Sequence, residues 1–157
     1  MSRLWLFGAA ACAIALLAGG IAVALVTGGR GEDLLPADLP EGVVQRYLRA
    51  IAREDYREAY DYFSADLQGR CSYDQFLRWA SSSYLKRQLE EGQVTLESAR
   101  IDGDRAQVRV RFTQFDPGVP FFGAGEHSYE RTFHLRLEGE QWRFGTIPEG
   151  PGACARF

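Results

Sequence analysis

The chain of 157 residues carries 18 basic and 21 acidic side chains for a net charge of −3, with 46% of its residues hydrophobic and 25% charged. That length holds one domain plus an accessory segment but not two independent cores, and the composition is too apolar for a disordered chain. Setting aside Arg3 and Arg30, which flank an apolar run, leaves 16 basic against 21 acidic residues, a balance that excludes nucleic acid as an expected partner because such a surface repels phosphate backbones. Lys86 is the only lysine and asparagine is absent, a bias that GC-rich bacterial coding produces and that excludes N-linked glycosylation.

Leu4 to Val26 is a run of 23 residues without a charge. As a helix it would span about 34 Å, enough for a hydrocarbon core of about 30 Å. It is expected to be a single-pass transmembrane anchor (residues 4–26), with residues 1–3 in the cytoplasm and the rest of the chain outside. The N-terminal amine and Arg3 on one side, with Glu32 and Asp33 on the other, favour that orientation by the positive-inside tendency. The alternative is a signal peptide cut after Ala22-Val23-Ala24, leaving a secreted protein. Cys12 reads as a small apolar residue within the anchor.

A linker of residues 27–40 leads to three capping-box signatures: Asp38-Leu39-Pro40-Glu41, Asp55-Tyr56-Arg57-Glu58 and Ser72-Tyr73-Asp74-Gln75. In each, the first side chain is placed to accept from a free backbone N–H while the fourth reaches back. The first predicted helix carries Val44, Tyr47, Leu48 and Ile51 on one face. The second carries Tyr56, Ala59, Tyr60, Phe63 and Leu67, and the third Tyr73, Phe76, Leu77, Ala80 and Tyr84, stopping near Gly92.

The period then switches to two. Val94 and Leu96 start a strand, and Asp102-Gly103 signals a hairpin. On the return strand Ala106, Val108, Val110 and Phe112 alternate with outward Arg105, Gln107, Arg109, Arg111 and Thr113. A Pro/Gly-rich connection follows, then a strand with Tyr129, Arg131, Phe133, Leu135 and Leu137 on one face. Glu138-Gly139-Glu140 turns into a last strand through Trp142 and Phe144. The expected fold class is α+β, three helices packed on a curved four-stranded antiparallel sheet over residues 41–149, with a tail at 150–157.

Tyr47-Leu48-Arg49-Ala50-Ile51-Ala52 closing a helix, the step Glu54-Asp55-Tyr56 into Arg57-Glu58-Ala59-Tyr60-Asp61-Tyr62-Phe63-Ser64, Tyr73-Asp74-Gln75-Phe76 opening the next, and terminal Gln141-Trp142-Arg143-Phe144 resemble the NTF2-like (cystatin-like) superfamily in its small bacterial envelope form. The resemblance spans about residues 41–149. It implies a sheet wrapped round helices to leave a cone-shaped cavity, in a family holding both non-catalytic binding modules and isomerases, dehydratases or cyclases. The usual short strand between the second and third helices is not evident here. No catalytic set of the family matches these residues.

Arg131 shares parity with Phe133, Leu135 and Leu137, so it is expected on the concave side, where a buried guanidinium needs a carboxylate or a bound anion. Asp61 is the candidate partner, and Tyr47, Tyr60, Tyr84 and His127 could line the same pocket, which would suit a small hydrophobic or anionic ligand. The other reading is a rim arginine reaching to solvent among core tyrosines. His127 and His134, seven apart on one strand, point to opposite faces, so no metal and no cofactor is expected.

Cys71 and Cys154 are the only cysteines outside the anchor, and in an oxidising envelope such a pair reads as a disulfide, with a catalytic thiol as the alternative. Phe121 and Phe122 form an apolar loop cluster, either a contact site or a cover over the cavity mouth. The expected function is a non-catalytic ligand- or protein-binding module at the membrane. The alternatives are a small pocket enzyme on a hydrophobic substrate and a scaffold in a secretion or cell-wall assembly. The expected partners are the membrane, a small ligand or an envelope protein, with a homodimer through the sheet.

Overall fold

The computed structural model describes residues 23–26, 34–82, 84–116, 125–148 and 154. Among them, Val23–Val26 form β1, and five helices follow: α1 (Pro40–Ala52), α2 (Tyr56–Asp61), α3 (Ala65–Arg70), α4 (Tyr73–Ala80) and α5 (Tyr84–Glu91). The strands β2 (Gly92–Asp102), β3 (Arg105–Asp116), β4 (Gly125–Glu138) and β5 (Gln141–Phe144) then pair in sequence order as an antiparallel meander, with β1 alongside β2. The fold is α+β.

One face of the meander carries the core. Val94 and Leu96 of β2, Ala106 to Phe112 at alternate positions of β3, Phe133 and Leu135 of β4, and Trp142 and Phe144 of β5 are all buried. The apolar stripe of α1 lies in this cluster, with Val43, Val44, Tyr47, Leu48 and Ile51 buried at helical spacing. Each fully buried aromatic or leucine there contributes about 1.5–3 kcal/mol by leaving water. The register of β2 against β3 shifts between Leu96 and Ser98, a bulge that bends the strand.

Several local expectations are revised. The second helix is two, because Ser64 caps α3 through the Leu67 N–H at 3.2 Å while the Ser64 N–H bonds the Phe144 carbonyl of β5 at 3.0 Å. Between α2 and α3, Phe63 pairs in parallel with Phe144 as an isolated bridge. The third helix also divides, at Ser81 and Ser82. Their hydroxyls bond back to the carbonyls of Arg78 and Trp79 at 3.0–3.3 Å, which competes with the helical ladder. Gly92 begins β2 directly instead of ending a helix in a left-handed turn; a Cβ there would stand 2.7 Å from the carbonyl oxygens of both Gln88 and Thr113.

Of the three expected capping boxes, the one at Ser72–Gln75 is complete, and Asp55 accepts from the Glu58 N–H at 3.0 Å. Asp38 does not cap; Leu39 takes that position without a side-chain bond, because Pro40 already sits in the first turn, where its missing N–H costs nothing. The first hairpin turns through Gly103-Asp104, one residue later than its signal, with Asp102 opposite Arg105. Thr113 is buried rather than solvent-facing, and the exposed residue beyond it is Phe115.

Val23–Val26, expected as the last turn of the anchor, are extended and pair with β2 at Val23↔Leu96 and Val26↔Val94. Two β-branched residues in four favour that conformation beside an open strand edge. The rest of the expected anchor, and Phe121 and Phe122, lie outside the described residues. No helix among the described residues is long and apolar enough to cross a membrane.

Candidate functional site

The pairing of β3 with β4 sets Phe112 opposite Tyr129 and Val110 opposite Arg131. The Phe112 and Tyr129 rings stack, with centroids 5.2 Å apart and planes 8° from parallel. The Arg131 guanidinium lies over both, 5.6 Å from the Phe112 centroid and 5.9 Å from that of Tyr129, within the range of a cation–π attraction. Above them, α5 brings down Gln88, a buried amide whose Oε1 accepts from the Tyr129 hydroxyl. The tight α5–β2 junction at Gly92 is what holds Gln88 over the sheet.

Arg131 Nη1 is buried and has no hydrogen-bond partner among the described residues. A buried donor left unmet costs about 1–3 kcal/mol, and more when it is charged. The planar guanidinium, backed by two rings, is shaped to take a carboxylate or phosphate edge-on through two parallel N–H bonds. The guanidinium is therefore a charged group resting on two stacked rings, of which Phe112 is itself buried.

The six sequence candidates do not converge as a set. Arg131 faces the helix side as its parity requires, and His127 shares that side of β4 but is exposed. Tyr47 is fully buried, 4.7 Å from the Phe144 ring and 6.3 Å from that of Phe63, so it is core and not cavity wall. Tyr60 gives its hydroxyl to the buried Cys71 carbonyl at 2.7 Å. Asp61 is exposed at the end of α2, its backbone carbonyl accepting from Arg143, and among the described residues no ion pair joins it to Arg131. The side chain of Tyr84 lies outside the described residues.

Gln88 was missed by periodicity because an isolated helix pattern gives no reason for a glutamine between Leu85 and Leu89. That a polar residue sits on an apolar stripe was the available signal. Among the described residues no three His, Cys, Asp or Glu side chains gather into a metal-holding group.

Cys71 and Cys154 are joined, with Cα atoms 5.3 Å apart across 83 residues of sequence. Beside that link, burial raises the Tyr60 phenol above its usual value. On the flank of α1, Tyr62 donates to Glu58 Oε1 at 3.1 Å, and burial, aided by the Glu58 charge and that bond, pushes its phenol up to about 12. A cleft of about 420 Å³ opens on the outer face of the sheet and includes none of the six candidates.

Comparison with protein-family models, curated proteins and solved structures gives no match of the chain to any of them.

Proposed function

We propose that the domain is a non-catalytic binding module of the NTF2-like type, held at the outer surface of the cell membrane, whose ligand places an anionic group on Arg131. The observation that carries this is the Arg131 Nη1 atom, buried against Phe112 and Tyr129 without an acceptor among the described residues. A buried donor without an acceptor costs stability, and an apolar residue of similar length would cost less. An aromatic wall beside the guanidinium suits a ligand with an apolar body and a carboxylate or phosphate end.

Binding is favoured over acid–base catalysis by the neighbours themselves. Gln88 and Tyr129 are an amide and a phenol, neither of which exchanges protons readily near neutrality. Helices on one face of an antiparallel meander agree with the resemblance to NTF2-like domains. With Val23–Val26 extended, Leu4–Ala22 remain for the anchor and would span about 28 Å as a helix, close to the hydrocarbon thickness. The domain would then begin at the membrane surface itself.

The direct test follows the Arg131 side-chain N–H signals by nuclear magnetic resonance while 2-naphthoate, an aromatic carboxylate, is added to the full chain in an uncharged detergent. Saturable shifts at Arg131 support the reading; signals unmoved at saturating probe refute it.

A further inference from the structure

On the outer face of the sheet, the five arginines of β3, β4 and β5 fall into two groups. Arg109 and Arg111 meet Glu130 at 3.7 and 3.2 Å, and Arg111 also meets Glu97 at 3.2 Å. At the other end, Arg105, Arg136 and Arg143 stand directly opposite one another across β3, β4 and β5. Opposed residues on neighbouring strands have Cβ atoms about 5 Å apart, and like charges so placed repel.

Among the described residues the row meets few acids: Asp102 stands opposite Arg105 on β2 without forming an ion pair with it. Arg136 has one acidic neighbour, Glu138, at 3.9 Å, too long for a hydrogen bond. Arg143 spends its donors on neutral acceptors, the Asp61 carbonyl and the Gln141 amide oxygen. Among the described residues Arg105 makes no ion pair. Arg105 and Arg136, with His134, Gln107 and Thr146, line the cleft of about 420 Å³, in which Asp104 is the single acid.

We infer that this cleft binds a phosphate-type oxyanion between Arg105 and Arg136. Two guanidinium forks at one register position converge on one multiply charged group, and the amide of Gln107 and hydroxyl of Thr146 supply neutral donors beside them. A single carboxylate would leave most of the row's charge unmet, whereas a phosphate group carries two charges and several acceptor oxygens. The site lies on the face opposite Arg131, so it stands apart from the proposed ligand there. The phosphate could come from a soluble phosphorylated molecule or from a lipid headgroup, and the two are distinguished by experiment.

The full chain in an uncharged maltoside detergent is titrated with inorganic pyrophosphate, and separately with mixed micelles containing phosphatidylglycerol or phosphatidylcholine. Binding is read by calorimetry and by the arginine side-chain N–H signals. Saturable pyrophosphate binding, weakened about tenfold or more in R105Q/R136Q and at about 0.3 M salt, supports a soluble source. Shifts at Arg105 and Arg136 with phosphatidylglycerol alone, lost in the same variant, support a headgroup. R109Q/R111Q should bind as the wild type does, and thermal melting checks that each variant folds. Failure of both probes to bind, wild-type binding by R105Q/R136Q, or an equal loss in R109Q/R111Q would overturn the inference.

Discussion

The guanidinium of Arg131 lies 5.6 Å from the ring centroid of Phe112, and its Nη1 is buried there without an acceptor among the described residues. The ring supplies part of the attraction that water would have given, but a π face is a weaker partner than an oxygen. On the proposed reading, stability and binding pull in opposite directions at Arg131, and their separation can be measured.

Replacing Arg131 by methionine keeps the aliphatic stem and removes the unmet charge. The R131M domain should be as stable as the wild type or more stable by up to about 2 kcal/mol, since an unsatisfied buried donor is lost without leaving a cavity. Urea denaturation followed by tryptophan fluorescence gives the comparison. A loss of stability in R131M would instead mark Arg131 as a structural residue.

Tyr129 and Gln88 lie 41 positions apart in sequence, and their bond ties α5 to the sheet. Y129F leaves the buried Gln88 oxygen without this donor and should cost about 1–3 kcal/mol. Adding Q88L removes the acceptor as well, and the double variant should recover much of the loss. Strict additivity of the two substitutions would show that the bond contributes nothing to folding.

The Cys71–Cys154 link closes a loop of 83 residues in sequence separation. Its reduction should lower stability by about 4 kcal/mol in the chain-entropy account, with little change in the native spectrum. Intact-mass analysis after alkylation without reductant checks the bond first. Y60F, which strips the donor from the buried Cys71 carbonyl, should cost about 1 kcal/mol on its own.

Alkaline pH should weaken the fold in a defined window. Tyr62 ionises at about 12 in the folded protein against 10.0 as the ordinary value, chiefly through burial and then through Glu58. A raised pKa means that the folded state holds its proton more tightly. The stability this contributes is complete below about pH 10 and is lost as pH climbs from 10 through about 12. Phenolate absorbance should show one tyrosine titrating late in the folded protein, and Y62F should remove that late step. An unchanged titration in Y62F would assign the step elsewhere.

The sequence was legible where a local rule decided the outcome. The strict alternation from Ala106 to Phe112 marks a strand with one buried face, and the Ser72–Gln75 pair forms its full capping box. Two cysteines in one small domain named their own partner. Reading failed where a distant element intervened: the helix from Tyr56 to Leu67 is broken by backbone bonds to Phe144, more than 70 residues on, which no helical period reveals. Runs of serine were similarly ambiguous, since a hydroxyl can cap a helix or break one. At the site, parity placed Arg131 on the helix side, yet the assumed partner Asp61 ends on an exposed helix terminus. Gln88 reaches the neighbouring Tyr129 hydroxyl through the α5–β2 junction, a tertiary relation invisible to spacing.

Calorimetric titration of the full chain and of R131M with 2-naphthoate, with uncharged 2-naphthamide as comparator, tests the central claim most directly. The account predicts saturable binding of the carboxylate to the wild type, weakened about tenfold or more in R131M, while the amide binds both proteins equally weakly. Equal carboxylate affinity in wild type and R131M, with both proteins folded, would contradict it.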